Sequence, residues 1–175
     1  DLHNVHTTPF APSADAQASN PLAKIPALEQ DNGPAIYDSR VIYAYLDNRA
    51  ESGMYGQGET VWAIKTLEAT ADGIMDAAVL MTYERRLRSE EQQSETWFDA
   101  QLGKVLGACK ALNARWMSHL KGPLDMGQIA VACALAYIDF RHPDSNWRHG
   151  NEALADWFAE FESRPSMQAT KPPAA

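Results

Sequence analysis

Residues 123–138 (PLDMGQIAVACALAYI) constrain the fold more than any other part of the chain. Asp125 and Gln128 have the spacing of a capping box, in which a side chain at the helix start accepts a hydrogen bond from the third helical N–H. Leu124 and Ile129 have the spacing of the hydrophobic contact that often accompanies such a box. The predicted helix is then apolar nearly all the way around. Because such a helix must be covered on every side, we predict that it lies in the middle of a helical domain.

The rest of the chain after residue 60 also has the pattern of helices. Residues 60–88 contain no proline and predict one long helix. Residues 151–163 predict a last helix, which ends before Pro165. Residues 95–120 place apolar side chains at steps of three and four, which is typical of a helix with one buried face: Phe98, Leu102, Val105, Cys109, Leu112, Trp116 and Leu120.

The first fifty residues predict a smaller unit that contains strands. Residues 2–8, 24–30 and 35–37 are interpreted as strands, and Asn32-Gly33 predicts a tight hairpin turn because both residues tolerate positive φ. A helix is expected to begin at Ser39, with one face formed by Val41, Ile42, Tyr45 and Leu46. Three segments are therefore expected: a β-containing domain over residues 1–50, a linker over 51–59, and an all-α helical bundle domain over 60–175.

Charge and hydropathy argue against two classes of function. The 175 residues include 15 Lys and Arg against 23 Asp and Glu, for a net charge of -8. Nucleic-acid binders usually show the opposite balance or a basic stripe, and the one dense run of arginines here, over 85–88, is followed after Ser89 by two glutamates. The longest apolar run, 129–138, is about half the length of a membrane span. We expect no nucleic-acid partner and no membrane insertion.

The two cysteines, Cys109 and Cys133, lie in apolar helical patterns. Their spacing fits neither a disulfide framework nor a metal site, so we predict buried thiols in a reducing, cytoplasmic compartment and no bound metal.

Pro26 lies inside a strand pattern, where it removes a backbone donor from the ladder. It is consistent with an edge strand, the commoner case. It is also consistent with a cis Ile25-Pro26 bond, which leaves the N–H and C=O of Ile25 free to pair with an extended peptide. The sequence alone leaves both alternatives open.

Asp38 and Ser39 stand where a strand meets a helix. One interpretation is a helix cap. A second adds a ligand: the N–H groups at the helix start suit a carboxylate, and the charge of Asp38 suits an ammonium. Together they form a candidate site for an amino-acid head group.

These features occur together in the order of a known family. NPLAKIPALEQDNG followed by AIYDSRVIYAYLD resembles the glutathione-binding half of the cytosolic glutathione transferases, and ADGIMDAA and GPLDMGQIAVACAL resemble their helical half. The resemblance runs from about residue 20 onward and is greatest to bacterial members. It implies a thioredoxin-like α/β N-terminal domain, an all-α C-terminal domain and a homodimer.

The resemblance also implies roles for particular residues. Pro26 is expected to be cis, with the Ile25 backbone pairing with the cysteinyl part of glutathione and Asp38 and Ser39 holding its γ-glutamyl head. Lys24 stands where some members bind the glycyl carboxylate, although a solvated edge-strand lysine is an alternative. Asp76 stands where some classes reach across the dimer to the partner's glutathione, or it is simply solvated.

The catalytic residue is not assigned in this sequence. In the family, a first strand and helix come before the segment that resembles residues 2–8, and the Ser, Tyr or Cys that activates the glutathione thiol begins that helix. We therefore expect the catalytic residue, and that strand and helix, to precede Asp1.

The resemblance implies a detoxifying glutathione transferase that adds the glutathione thiolate to an electrophilic, largely apolar small molecule, with glutathione as co-substrate. Two alternatives stay open. A glutathione-dependent thiol oxidoreductase would need a Cys at the start of the preceding helix. A non-catalytic glutathione-binding or regulatory protein could keep the same fold, because fold does not fix function.

Overall fold

The computed structural model describes residues 5–8 and 10–172. These residues form two compact units, which meet in the sequence between Met54 and Tyr55. Eight α-helices lie within the described residues: α1 (Ala14–Ser19), α2 (Ser39–Ala50), α3 (Thr60–Arg86), α4 (Glu95–Arg115), α5 (Met117–Leu120), α6 (Met126–Arg141), α7 (Glu152–Glu162) and α8 (Pro165–Ala169). Two 3₁₀ turns, Glu90–Gln92 and Pro143–Ser145, join helices of the second unit.

The second unit is the helical bundle that the apolar segment predicts. Helix α6 packs chiefly against α3, and α3 packs next against α4. The core of the bundle is fully closed to solvent at Leu67 and Ala71 of α3 and at Val131 and Leu135 of α6. Full burial of one such leucine side chain stabilises the fold by ~1.5–3 kcal/mol.

Helix α6 begins as predicted, although only half of the capping box forms. Asp125 Oδ1 accepts the Gln128 N–H at 3.0 Å. The second half requires Gln128 Oε1 to accept the Asp125 N–H, and no such bond forms among the described residues; Gln128 Nε2 donates to the Pro123 carbonyl at 2.6 Å. The same Nε2 also lies 3.3 Å from the carbonyls of His119 and Gly122, so the side chain is held toward the preceding loop. Asp125 Oδ2 also lies 2.6 Å from His119 Nε2, which ties the helix start to α5.

The predicted helix over 95–120 is divided into α4 and α5 at Trp116. The backbone of Trp116 has φ -113° and ψ -2°, which departs from helical geometry. The Leu120 N–H still bonds the Trp116 carbonyl at 2.9 Å, so the chain bends without losing that bond.

The first unit has fewer strands than the sequence predicts. Leu28 and Ile36 exchange two backbone hydrogen bonds of 2.9 Å and form one isolated antiparallel bridge. Of the predicted strand over 2–8, residues 2–4 lie outside the described residues and 5–8 form no strand. A strand needs neighbours to form a stable sheet, and within the described part of this unit Leu28 and Ile36 pair only with each other.

Helix α2 begins at Ser39 as predicted, but its apolar face is only partly covered. Ile42 is buried, whereas Val41 is 51% and Leu46 45% exposed. Its end at Glu51 has a left-handed backbone, with φ 48°, a common way to close a helix.

Candidate functional site

The loop that leads to Ile25 and Pro26 is organised by the buried side chain of Asn20. Its Nδ2 donates to the Lys24 carbonyl at 2.9 Å, and its Oδ1 accepts the Leu22 N–H at 3.0 Å. The side chain is almost fully buried, at 1% exposure. Asn20 therefore satisfies two backbone groups of this loop and fixes the path of the chain into Ile25.

The residues that follow are accessible. Lys24 and Pro26 are exposed, and Ile25 is 59% exposed. The Ile25-Pro26 bond is cis, which confirms that prediction. In the part of the chain that the structure describes, no hydrogen bond occupies the N–H or the C=O of Ile25. Both groups are available to an extended ligand.

An isolated bridge joins this segment to the chain that leads into α2. Leu28 pairs with Ile36 in antiparallel register. Pro26 lies two residues before the bridge and Asp38 lies two residues after it along the chain. The turn between the paired residues contains Gly33, whose φ of 113° suits glycine. Ile25, Pro26, Asp38 and Ser39 therefore all lie within three residues of the bridge along the chain.

Asp38 is the N-cap of α2 and carries a negative charge. Its Oδ1 accepts the Arg40 N–H at 3.1 Å, and its Oδ2 lies 2.6 Å from Arg40 Nη2. The hydrogen bond from the Arg40 side chain holds the pKa of this carboxyl below its usual range. The peptide bond between Tyr37 and Asp38 is cis.

Ser39 is the first residue of α2, where the N–H groups and the helix dipole favour an anion. The adjacent Asp38 favours a cation. The two neighbours therefore present opposite charge preferences side by side, which is the arrangement that a zwitterionic head group needs.

Arg40 and Asn20 have contacts that the sequence did not assign to them. The Asp38–Arg40 pair could be suspected from an acid and a base two residues apart beside a cap, although nothing in the spacing says that the pair forms. Asn20 belongs to the Asn-Pro pattern of the family resemblance, and its burial is the part that the pattern does not reveal.

Asp76 belongs to the second unit. It is an exposed residue of α3. The other five predicted site residues belong to the first unit.

A shallow apolar groove of about 570 Å³ lies on the first unit, lined by residues that include Pro21, Ile36, Tyr37 and Val41. The residues that line this groove include none of the six sequence-predicted site residues.

The two cysteines differ in exposure. Cys109 is fully buried, and desolvation raises the pKa of its thiol to about 12. Cys133 is predicted to be buried but is exposed, on a side of α6 where Ile129 and Tyr137 are also only partly buried. Its thiol is still desolvated enough for its pKa to be raised. Both are therefore poor thiolate nucleophiles near neutral pH.

Two kinds of feature are absent from residues 5–8 and 10–172: a cluster of metal ligands and a membrane-spanning helix. No group of three or more His, Cys, Asp or Glu side chains in these ranges is placed to hold a metal ion. None of the helices formed there has both the length and the apolar character to cross a bilayer.

Known proteins share both halves of this chain. Residues 1–54 match the glutathione S-transferase N-terminal domain, and residues 95–160 match the glutathione S-transferase C-terminal domain. A curated relative, the uncharacterized GST-like protein YibF of Escherichia coli, is 29% identical over 98% of this chain and 86% of its own length.

Solved structures give the same result. A glutathione transferase family member from Pseudomonas fluorescens with bound glutathione is 46% identical, with a TM-score of 0.94 over 99% of this chain and 85% of that one. A glutathione S-transferase from Methylobacillus flagellatus with GSH bound is 34% identical, with a TM-score of 0.82 over 95% and 83% of the two chains. The two domain matches and these relatives show that the chain belongs to the glutathione S-transferase family.

Proposed function

We propose that this protein is a glutathione transferase that adds the glutathione thiolate to an electrophilic, largely apolar small molecule. The observation that carries the proposal is the 46% identity to a Pseudomonas family member with bound glutathione over 99% of this chain. The exposed Ile25, with no hydrogen bond on its backbone N–H or C=O, and the charged N-cap Asp38 beside Ser39 support it independently.

In this proposal the first unit binds glutathione along the hairpin. The N–H and C=O of Ile25 pair with the cysteinyl part of the peptide, beside Pro26. Ser39 and the start of α2 take the γ-glutamyl carboxylate, and Asp38 takes the γ-glutamyl ammonium. The exposed Lys24 takes the glycyl carboxylate.

The contact between Arg40 and Asp38 affects how the ammonium of glutathione can bind to Asp38. Its side chain already contacts both oxygens of Asp38. A bound ammonium therefore shares the carboxylate with Arg40 or displaces its guanidinium. Because this ion pair is about half exposed on both sides, the rearrangement costs little.

We assign no thiol-activating residue within the part of the chain that the structure describes. The raised thiol pKa values of Cys109 and Cys133 do not support either as the attacking thiolate of an oxidoreductase. Binding of glutathione without turnover is the mark of the non-catalytic alternative.

The remaining features of the proposal follow the family. We propose a cytoplasmic homodimer that acts in detoxification, with Asp76 reaching toward the glutathione of the partner subunit. Glutathione is the co-substrate, and the reaction requires no metal.

Calorimetric titration with glutathione tests the head-group assignment. Asp38→Asn keeps a good helix cap but removes the charge, so glutathione affinity is expected to fall about tenfold or more, as for a lost charge-assisted hydrogen bond of ~1.5–3 kcal/mol. Asp31→Asn, an exposed carboxylate in the same hairpin, is the matched control and should leave affinity unchanged. Equal affinity in both variants would remove Asp38 from the site.

Turnover is measured separately, by following conjugate formation with a nitro-activated aryl chloride and glutathione. Conjugation above the uncatalysed rate is expected. Failure of the wild-type protein to bind glutathione would overturn the proposed function, whereas binding without conjugation would favour the non-catalytic alternative.

A further inference from the structure

A second cavity, of about 280 Å³, lies in the helical unit and shares no residue with the proposed glutathione site. It is bounded by the last turns of α3 and α6 and by the first turns of α4. Three arginines line it, Arg85, Arg86 and Arg141, beside the aromatic rings of Phe98 and Phe140. Cationic and aromatic side chains therefore meet around one opening.

One of the three arginines is neutralised within the protein. Arg85 makes a bidentate ion pair with Glu95, with N–O distances of 2.6 and 2.7 Å, and its guanidinium stacks 4.3 Å from the centre of the Phe98 ring. Arg85 is thereby held in a fixed orientation. The carboxylate of Glu95 largely neutralises the positive charge of Arg85.

The other two arginines have no carboxylate partner among the residues described. Arg141 lies 4.2 Å from the centre of the Phe140 ring, and its Nε is buried without a hydrogen-bond partner. A buried donor on a charged group that lacks a partner is costly. Arg86 is exposed at the mouth of the same cavity.

His142 adds a polar group to the wall. Its Nε2 lies 2.9 Å from the Ala78 carbonyl and 3.1 Å from the Thr82 hydroxyl. Because a carbonyl only accepts, Nε2 carries the proton. The ring is therefore anchored on its Nε2 side, and it meets Phe98 edge-on at 6.2 Å.

Arginines in the last turns of helices also offset the negative end of the helix dipole. That role explains why Arg86 and Arg141 lie where they do. It does not explain why two arginines without a carboxylate partner among the described residues line one cavity together with two aromatic rings. A lining of this kind suits a ligand that has both a negatively charged group and an apolar part.

We propose that this cavity binds a small aromatic carboxylate. Its carboxylate would meet the guanidinium groups of Arg141 and Arg86, which offer paired N–H donors that match carboxylate geometry. Its ring would lie against Phe98 and Phe140. The volume, just below the usual range for drug-sized ligands, suits a single-ring compound.

Calorimetric titration of the full chain tests the proposal with benzoate, its neutral counterpart benzamide, and inorganic phosphate. Benzoate should bind at least tenfold more tightly than benzamide or phosphate, and its affinity should fall as salt concentration rises. Arg141→Gln should weaken benzoate binding about tenfold or more. Arg86→Gln should weaken it less, because Arg86 is exposed and its removal leaves the stacked pairs intact.

Arg115→Gln is the matched control, because it removes the same charge from an exposed position of α4 outside the cavity. It should leave benzoate affinity unchanged. The proposal is overturned if benzamide binds as well as benzoate, if phosphate binds as well as benzoate, or if Arg86→Gln and Arg115→Gln are indistinguishable. The last comparison remains decisive even if Arg141→Gln does not fold.

Discussion

At the scale of single residues, Asn20 shows how a buried amide fixes a loop that is exposed everywhere around it. Pro21 and Leu22 are exposed, yet Asn20 is buried and hydrogen-bonded at both ends of its side chain. The Ala23 N–H also bonds the Asn20 carbonyl, at 2.7 Å. Asn20 therefore holds the chain before Ile25 through two side-chain hydrogen bonds and one backbone hydrogen bond.

Asn20→Ala is expected to weaken both the fold and the proposed glutathione site. The change leaves the Lys24 carbonyl and the Leu22 N–H without their partner, which costs ~1–3 kcal/mol. Urea unfolding followed by circular dichroism measures the free energy of unfolding, and calorimetry measures glutathione affinity. Ser19→Ala, which removes an exposed hydrogen bond to Glu29, is the control and should change stability by less than about 0.5 kcal/mol. Equal effects of the two variants would show that Asn20 does not organise the loop.

At this scale, the sequence predicted backbone features more successfully than it predicted side-chain contacts. The helix cap at Asp38 follows from residue type at a strand-to-helix junction, and the structure confirms it. The Arg40 pair does not follow, because the conformation of a long surface side chain depends on contacts that no local pattern encodes. Cys133 is a similar case, since its predicted burial depended on which side of α6 its neighbours leave open.

At the scale of elements, the contact between α3 and α6 depends on a glycine. A Cβ atom at Gly127 would lie 2.9 Å from Leu67 Cβ and 3.2 Å from Asp125 Oδ1. Both distances are shorter than ordinary van der Waals contact. The first turn of α6 thus approaches α3 more closely than any residue with a side chain allows.

Gly127→Ala should therefore destabilise the protein, by ~1–3 kcal/mol, as overpacking of a core does. Gly103→Ala is the matched control, because Gly103 lies in α4 with open space around its Cβ position. In an exposed helix interior, the same change should stabilise by about 0.5–1 kcal/mol. Thermal unfolding of both variants gives the comparison, and a stabilising Gly127→Ala would refute the close approach of α3 and α6.

Helices were predicted well and strands poorly, for a physical reason. The spacing of apolar residues that defines α3, α4 and α6 is a local pattern, so these helices can be predicted from the sequence of each segment alone. A strand is stabilised by partners distant in the chain. Residues 24–30 have the composition of a strand, but within the described part of the chain only Leu28 forms a bridge. The pattern indicated a tendency to form a strand, but too few neighbouring strands pair with these residues to stabilise one.

At the scale of the whole molecule, the order of several short sequence features identified the family better than any single feature did. The Asn-Pro pair, Ile25-Pro26, the hairpin, and Asp38-Ser39 are each common in unrelated proteins. Their order, followed by a capped apolar helix, predicted the family that the two domain matches show. The cavity with three arginines was not predicted, because its residues come from three helices and no single stretch of sequence contains them.

Helix α3 presents an exposed stripe that bears on the proposed homodimer. Ala69, Gly73, Asp76, Leu80 and Tyr83 recur at steps of three and four, and all are exposed. Leu80 and Tyr83 are 40% and 38% exposed, which is unusual for a side of a long helix with few charges. Small and apolar residues at this spacing suit close packing against a second copy of the helix.

Sedimentation velocity at micromolar concentration is expected to show a dimer. Leu80→Glu should shift the distribution toward monomer, because two buried carboxylates would face an apolar stripe. Asp76→Ala should leave the dimer intact and weaken glutathione binding several-fold, since the proposal gives Asp76 a role at the partner's ligand. Asp156→Ala, an exposed carboxylate of α7, is the control for the charge change and should affect neither measurement. A monomeric wild-type protein would refute the homodimer, and unchanged affinity in a dimeric Asp76→Ala would mean that Asp76 is simply solvated.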